Sequence, residues 1–207
     1  MVRILELFKG TGSVGRVAKK KGYRVLSVDH LEKWKPDILV DITKWDFATD
    51  LKKRRFTPDF IWASPPCSTF SPLVYPLKER DPQTGKAFSK RAKFGTRILN
   101  KAIKIIKYYQ KKNPKLKWVI ENPHGMMRKM PWIRRQETAS TLYCLYGDKR
   151  RKRTDFFNNF DLKLKTETKC NKPTASVARM TKLCDKYKIP GRLIGNIFRQ
   201  AFPRPKF

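Results

Sequence analysis

Acidic residues are scarce in this 207-residue sequence, which has 17 Asp and Glu against 49 Lys and Arg. The formal net charge is therefore +32 at pH 7, and such an excess of one sign opposes compaction through self-repulsion. Hydrophobic residues make up 40% of the sequence and aromatic residues 12%, which excludes a disordered basic tail. A polyanion that neutralises the surface is the simplest explanation of the charge, so we expect a nucleic-acid partner.

Patterns typical of metal sites, disulfide frameworks and membrane spans are also missing. The sequence has four cysteines without C-x-x-C spacing, at Cys67, Cys144, Cys170 and Cys184. Its two histidines, His30 and His124, lie far from all of them in sequence. We therefore expect neither zinc nor a disulfide framework. Because there is no 18-residue apolar run and no signal-peptide pattern at the amino terminus, we expect a soluble, unsecreted protein without a membrane partner.

The order of apolar patterns indicates the fold class. Short apolar runs predict five strands, at 4–8, 24–28, 38–40, 59–63 and 118–120. Val14, Val17 and Ala18 have helical spacing after the first run, and a second helical pattern covers 98–109. Alternating strands and helices are typical of a parallel sheet, so we predict an α/β, doubly wound, mostly parallel fold. From about Met126 the apolar pieces become short, which leaves no room for a second large domain.

A glycine-rich turn follows the first predicted strand, where Gly10-Thr11-Gly12-Ser13-Val14-Gly15 fits G-x-G-x-x-G. Such glycines let the backbone approach a ligand, and Asp29 ends the next strand, where a carboxylate can hold ribose hydroxyls. NAD, a flavin and S-adenosylmethionine all suit this pattern, and a tight turn with nothing bound would also use these glycines. Asp41, followed by the apolar Ile42, adds a second acid after the third strand. One carboxylate for the ribose and one for an exocyclic amine favour an adenosyl ligand.

Two reactive residues follow the fourth and fifth predicted strands. Cys67 comes directly after Ser64-Pro65-Pro66, and Glu121 begins Glu121-Asn122-Pro123. Ligands bind beyond the carboxyl ends of strands in an open parallel sheet, so both residues should reach the cofactor crevice. The prolines would stiffen a loop that carries Cys67 as nucleophile, and basic neighbours would lower the pKa of its thiol toward neutrality. Burial would raise the pKa of Glu121 and make it a proton donor. Alternatively, Cys67 could be an inert buried cysteine and Glu121 an ion-paired acid. The occurrence of both residues at one sheet edge favours a catalytic pair instead.

These motifs resemble, in order, those of the C5-cytosine DNA methyltransferases. Phe8-Lys9-Gly10-Thr11-Gly12 is similar to the family's opening cofactor motif, and Asp29 and Asp41 are similar to its two cofactor acids. Pro66-Cys67 together with Phe70-Ser71 resembles its nucleophile loop.

The resemblance continues to the end of the chain. Glu121-Asn122 is similar to the family's glutamate motif, although Pro123 stands where valine is usual. Gly195-Asn196 is similar to the motif that completes the cofactor pocket. The proline after the glutamate-asparagine pair makes the short forms of phages and large DNA viruses the most similar group.

The resemblance implies a DNA (cytosine-5)-methyltransferase that uses S-adenosylmethionine, without a metal, on a cytosine flipped out of double-stranded DNA. Cys67 would add to C6 of the base, Glu121 would protonate or hydrogen-bond N3, and Arg151 or Arg153 would hold O2. The residues implied around the cofactor are Phe8, Gly10, Thr11, Gly12, Ser13, Asp29, His30, Asp41, Ile42, Pro65 and Asn196. We expect a monomer that acts at DNA inside the cell, with the compartment left open.

The sequence departs from the family pattern in two places. The usual Gln-x-Arg-x-Arg is replaced by the basic run 149–153, in which the glutamine is absent and the register of the arginines stays open. A solvated, phosphate-binding run would give the same pattern, and we expect 52–55 and 78–93 to contact phosphates as well. The interval after the run is shorter than the usual target-recognition region. We therefore predict a catalytic domain of 1–153 and 188–207, a minimal target-recognition segment of 154–187, and short or relaxed target sequences.

Two other functions fit part of the sequence. An amino-methyltransferase acting on adenine N6 or cytosine N4 needs Asp or Asn directly before Pro-Pro, where this chain has Ser64. A non-catalytic DNA-coating protein on a decayed methyltransferase scaffold would explain the charge of +32. Decay would be expected to remove Cys67 or Glu121 early, and both are present. Label transfer from the cofactor separates this possibility from the enzyme, because a coating protein would shift DNA in a gel without transferring label.

Overall fold

The computed structural model describes residues 1–71, 77–167, 170 and 187–203. The strands are β1 (Arg3–Leu7), β2 (Arg24–Asp29), β3 (Ile38–Leu39), β4 (Phe60–Ala63), β5 (Lys117–Pro123), β6 (Glu137–Leu142) and β7 (Arg153–Asn158). The α-helices are α1 (Ser13–Lys20), α2 (Phe47–Lys53), α3 (Lys90–Lys112) and α4 (Gly191–Ala201). Short 3₁₀ turns include Cys67–Thr69 after β4 and Tyr143–Tyr146 after β6.

One seven-stranded sheet organises the chain, in the order β3-β2-β1-β4-β5-β7-β6. The first five strands are parallel, and β7 pairs antiparallel with both β5 and β6. The predicted mostly parallel, doubly wound α/β fold is therefore confirmed. The strand order reverses between β1 and β4, and ligands of such sheets bind beyond the carboxyl ends of the strands at this switch point.

Two apolar layers cover the sheet, which explains why its central strands are apolar on both sides. Leu5 and Leu7 of β1 belong to the core beneath α2 and α3, whereas Ile4 belongs to the core beneath α1 and α4. Side chains alternate between the two faces of a strand. Phe156 and Phe157 of β7 divide between the two cores in the same way.

β7 corrects one boundary predicted from the sequence. The target-recognition segment was predicted to begin at 154, but 154–158 pair with β5 and β6 inside the sheet. The boundary is wrong because β7 is a short strand that carries charged and polar residues among its aromatics, without the apolar run of the parallel strands. The recognition role of the remaining segment stays a prediction, and 168–169 and 171–186 lie outside the described residues.

The cysteines also require a correction. Cys144 and Cys170 form a disulfide with their Cα atoms 6.0 Å apart, although the sequence predicted no disulfide framework. These two residues are 26 positions apart and carry no spacing signature, so only the tertiary fold brings them together. Cys67 is a free thiol, and Cys184 lies outside the described residues.

Candidate active site

The turn after β1 has a left-handed backbone at several positions. Phe8, Gly10 and Gly12 have φ angles of 62°, 47° and 68°. Glycine adopts this region without strain, whereas a bulky residue such as Phe8 carries a cost on the order of 1–3 kcal/mol. Phe8 borders two neighbouring cavities at the carboxyl edge of the sheet, so the strained residue lies where a ligand would bind.

Glu6 is a buried acid beneath this turn that the sequence analysis missed. A Cβ atom on Gly15 would lie 2.7 Å from Glu6 Oε2, so glycine is what lets α1 pack this closely on β1. Burial raises the pKa of Glu6 to about 7. The nearby Gly15 N–H partly offsets this increase, although no group among the described residues meets full hydrogen-bond geometry with Glu6 Oε2. A charged residue between Leu5 and Leu7 of a central strand was the signal that could have identified it.

The two predicted cofactor acids lie at the ends of β2 and β3. Asp29 Oδ2 accepts a hydrogen bond from the Gly10 N–H at 2.9 Å, and its Oδ1 accepts one from the Leu31 N–H at 3.0 Å. Asp41 Oδ1 accepts from the Thr43 N–H at 2.9 Å and from the Thr43 hydroxyl at 2.8 Å. These hydrogen bonds lower the pKa of Asp41. Both acids keep lone pairs for a ligand, since an ionised carboxylate can accept several hydrogen bonds.

Most of the predicted site residues line two adjoining cavities. The Cys67 cavity, of about 260 Å³, is lined by Cys67 and Glu121 together with the glycine-rich turn. The Asp41 cavity, of about 240 Å³, is lined by Asp41 and residues of α3. The predicted cofactor residues that line one or both cavities are Phe8, Gly10, Thr11, Ser13, Asp29, His30, Asp41, Ile42 and Pro65. Residues from the ends of five strands, β1 to β5, thus converge on one continuous region.

Two predicted cofactor residues line neither of these cavities. Gly12 caps the start of α1 and borders a separate cavity. Asn196 lies within α4, where its Nδ2 donates to the Tyr146 hydroxyl at 3.4 Å. This contact connects α4 to the turn after β6, and the placement of Asn196 at the cofactor stays a prediction that neither cavity supports. Tyr187 and Ile189, which precede α4, line the Cys67 cavity instead.

The nucleophile loop is fixed by its neighbours. The N–H groups of Phe70 and Ser71 both donate to the Cys67 carbonyl at 3.0 Å. Asn122 Nδ2 donates to the Pro65 carbonyl at 3.0 Å, which connects the end of β5 to the loop that carries Cys67. The asparagine of the Glu121-Asn122 pair thus positions the loop while the glutamate faces the cavity.

Arg80 braces the same loop from the other side. Its side chain is only 4% exposed and donates to the carbonyl oxygens of Thr69 and Ala92, both at 2.7 Å. The guanidinium also lies over the Phe70 ring, 4.1 Å from its centroid. The segment 78–93 was predicted as a phosphate-contacting loop, but Arg80 points inward and 90–93 form the first turn of α3. The prediction fails there because a basic residue in sequence does not reveal whether it anchors or faces solvent.

Glu121 is held by two side chains. It is 6% exposed and lines the Cys67 cavity from the end of β5. The buried Tyr143 hydroxyl donates to Glu121 Oε1 at 2.9 Å, and Lys152 Nζ lies 3.6 Å from the same oxygen. Both contacts fix one carboxylate oxygen, so the orientation of the other is determined as well.

The electrostatics of Cys67 differ from the prediction. Burial raises the pKa of the Cys67 thiol, Lys152 lowers it, and Glu121 raises it again. The expectation that basic neighbours lower the thiol pKa toward neutrality is therefore wrong for this structure. One cation close to the sulfur does not outweigh the loss of water together with a nearby carboxylate.

Strand alternation explains which basic residue reaches the site. Side chains alternate between the two faces of a strand, so Arg153, the first residue of β7, and Thr154 after it point to opposite faces of the sheet. Lys152 lines the Cys67 cavity, whereas Arg151 and Arg153 are exposed and line neither cavity. The predicted contact of Arg151 or Arg153 with the base is therefore not supported. The sequence alone did not show where β7 begins, so it could not decide which residue of the basic run 149–153 faces the cavity.

The described ranges contain no helix with the length and apolar character needed to cross a membrane. Within the same ranges, no group of three or more His, Cys, Asp or Glu side chains is arranged to hold a metal ion.

The chain is similar to known DNA methyltransferases in sequence and in fold. No protein-family model matches the chain. A protein of Frog virus 3 (isolate Goorha), named as a probable DNA (cytosine-5)-methyltransferase, is 36% identical over 164 residues, which cover 77% of this chain and 72% of the viral protein. A solved protein encoded by an E. coli prophage, described as a DNA modification methyltransferase, shares the fold with a TM-score of 0.55 and 15% identity. The match covers 76% of this chain and 46% of the prophage protein, so the chain spans about half the length of that solved relative. The identity and coverage of the viral relative, with the motif order and the sheet topology, show that the chain belongs to the DNA (cytosine-5)-methyltransferase family.

Proposed function

We propose that this chain transfers a methyl group from S-adenosylmethionine to C5 of a cytosine flipped out of double-stranded DNA. The observation that carries this proposal is that Cys67 and Glu121 line the same cavity as Gly10, Thr11 and Asp29 of the glycine-rich turn and β2. The reactive edge of a cytosine is stacked inside a duplex, so the base must leave the helix to enter such a cavity.

The covalent steps begin at Cys67. Its thiolate forms a bond to C6 and the electron pair of the C5–C6 double bond moves to C5, while Glu121 in its protonated form donates its proton, or a hydrogen bond, to N3 so that charge does not build up on the ring. When bound, the cofactor supplies the methyl group, and its carbon–sulfur bond breaks with the electron pair leaving on sulfur. The C5 proton is then lost to water, the C5–C6 double bond forms again, and the sulfur of Cys67 leaves as thiolate.

Tyr143 and Lys152 orient the carboxyl group of Glu121 toward the base. Both contact Glu121 Oε1, which leaves Oε2 as the oxygen that meets the base. The Lys152 ammonium also stabilises the Cys67 thiolate. Lys152 therefore takes the place near the base that the resemblance assigned to an arginine.

The residues present fit S-adenosylmethionine. Asp41 suits the exocyclic amine of adenine, and Asp29 suits the ribose hydroxyls. Glu6 Oε2, which is buried without a hydrogen-bond partner among the described residues, suits the ammonium group of the methionine part. An unpaired carboxylate oxygen at this depth is costly unless a donor fills the space beside it.

Transfer of labelled methyl groups tests the proposal. Wild-type protein, Cys67→Ser and the control Cys184→Ser are incubated with duplex DNA and methyl-labelled S-adenosylmethionine, and the product is mapped by bisulfite sequencing. We expect label on cytosine C5 with wild type and with Cys184→Ser. Cys67→Ser should bind DNA and cofactor without transfer, because a hydroxyl is a far weaker nucleophile. Normal turnover by Cys67→Ser, or label on an exocyclic amine, would refute the proposal.

A further inference from the structure

The side of α3 that faces away from the sheet carries a continuous line of cations. This 23-residue helix contains nine lysines and arginines and no aspartate or glutamate. Five of the cations, here named the α3 stripe, follow one another at intervals of three or four residues: Arg97, Lys101, Lys104, Lys107 and Lys111. Residues at such intervals share one face of a helix. The buried residues of α3, such as Leu99, Ala102 and Ile106, occupy the opposite face.

The fold does not neutralise this charge. Like charges at these intervals destabilise a helix, and the basic first turn of α3 opposes the helix dipole. Within the described ranges, none of the stripe side chains is in an ion pair. Lys101 and Lys107 lie over the rings of Phe47 and Trp132, each 5.6 Å from the centroid, and Lys101 acts on Asp46 by lowering the pKa of that carboxyl without forming an ion pair with it. A surface that breaks local stability rules without compensation inside the fold points to a ligand outside it.

The stripe leads away from the catalytic edge. Residues near the start of α3, such as Phe94 and Ile98, line the Asp41 cavity. The helix ends at Lys112, five residues before Lys117 begins β5 at the opposite edge of the sheet. At 1.5 Å per residue the stripe spans about 21 Å. A duplex with a cytosine in the Cys67 cavity lies at the carboxyl edge of the sheet and therefore does not follow the stripe.

We propose that the α3 stripe binds the phosphate backbone of a second DNA duplex, so that one chain holds two duplex segments. This inference rests on the proposed function only for the identity of the polyanion. Lysine ammonium groups act as point charges without a planar fork, which suits phosphates irrespective of sequence. A protein partner would need an apolar centre, and Phe94 is the exposed large hydrophobic residue that the described part of α3 offers.

The test measures bridging between donor-labelled and acceptor-labelled short duplexes by energy transfer over a series of salt concentrations. The stripe variant is Lys104→Gln/Lys107→Gln/Lys111→Gln. The matched control is Lys19→Gln/Lys20→Gln/Lys21→Gln, which removes the same charge from exposed positions on the other face of the sheet. Wild type and control should bridge. The stripe variant should lose at least about tenfold in second-duplex affinity, and its salt slope should fall by about 0.9 for each lost phosphate contact.

A further variant separates charge from side-chain identity. Lys104→Arg/Lys107→Arg/Lys111→Arg should bridge like wild type, and thermal unfolding of every variant shows that the comparison concerns folded protein. Unchanged bridging by the stripe variant, an equal loss in the control variant, or a preference of the stripe for duplex RNA or an acidic protein over DNA would overturn the proposal. Methyl transfer is measured separately, so bridging by a protein that transfers no methyl group would refute the proposed function and leave the second duplex site standing.

Discussion

In the proposed mechanism Cys67 loses a proton before it attacks a base, and its surroundings in the free protein oppose that loss. Burial raises the pKa of the thiol, and the carboxylate of Glu121 adds to the effect. Lys152 is the group that opposes both. The free protein therefore keeps the thiol protonated near neutral pH, and thiolate formation is favoured when a positively charged ligand joins Lys152 in the cavity.

We predict that the alkylation of Cys67 by iodoacetamide rises with pH and has its midpoint above the value of about 8.5 of a free cysteine. Lys152→Met should move the midpoint to higher pH because it removes the stabilising cation. Glu121→Gln should move it to lower pH because it removes the opposing charge. The rate is followed at the Cys67 peptide by mass spectrometry in a Cys184→Ser background. Midpoints that move in the same direction in both variants would contradict this account of the site.

Asp41 and Asp29 give a second prediction at the level of single residues. Asp41→Ala and Asp29→Ala should each weaken S-adenosylmethionine binding by about 1 to 3 kcal/mol, the cost of removing one partner of a charge-assisted or buried hydrogen bond. Asp161→Ala is the control, because this acid is exposed and pairs with Lys163. Isothermal calorimetry measures all three affinities. If both site variants bind as tightly as the control, the cofactor does not occupy these cavities.

At the scale of elements, two glycines in helices have opposite roles. Gly15 of α1 faces the Glu6 carboxylate, whereas a Cβ atom on Gly195 of α4 would meet nothing within 4 Å. We predict that Gly15→Ala destabilises the protein by about 1–3 kcal/mol through overpacking. Gly195→Ala should stabilise it by about 0.4–1 kcal/mol, because alanine favours the helix. Urea denaturation measures both changes, and a shift of the same sign in the two variants would be evidence against this packing.

Gly195→Ala also tests the assignment of its motif. Because α4 holds Asn196 against Tyr146, the substitution should leave S-adenosylmethionine affinity unchanged. The family motif identified this segment, but its local contacts depend on where α4 begins, which the sequence pattern does not specify.

The predictable elements are those in which one physical signal dominates. Strands β1, β2, β4 and β5 are apolar on both faces, so their positions and the residues after them, Cys67 and Glu121, could be predicted. The strands β6 and β7 carry mixed polar sequences at the end of the sheet and give no such run. Without β7, neither the position of Lys152 nor its contact with Glu121 could be derived. Tyr143 had no sequence signal, since its role depends on a turn packed beneath β5.

The charge of the whole molecule divides into fixed and available parts. Arg80 and Arg150 are buried and hold structure, Arg150 through Asp148. The exposed cations Lys149 and Arg153 lie at the carboxyl edge of the sheet, beside the start of β7, whereas the exposed run 52–55 follows α2 at the opposite edge, next to the start of β4, and is too far from the site to contact phosphates there. The predicted recognition segment, by contrast, becomes shorter once β7 is assigned to the sheet. Affinity should therefore come mainly from phosphates, with little material left for reading bases.

We predict that binding of duplex DNA is strong, steeply salt-dependent and weakly dependent on sequence. Engaging roughly 6 to 10 phosphates should cost about 10³-fold or more in affinity between 50 and 200 mM salt, because each contact releases condensed counterions. Any methylated site should be limited to about two to four base pairs, since each base read in the major groove needs its own positioned side chain. Fluorescence anisotropy with unrelated duplexes measures affinity, and bisulfite sequencing measures the site. Discrimination above about a thousandfold at physiological salt, or a required site of six pairs, would mean that the short segment after β7 reads DNA far more closely than its length allows.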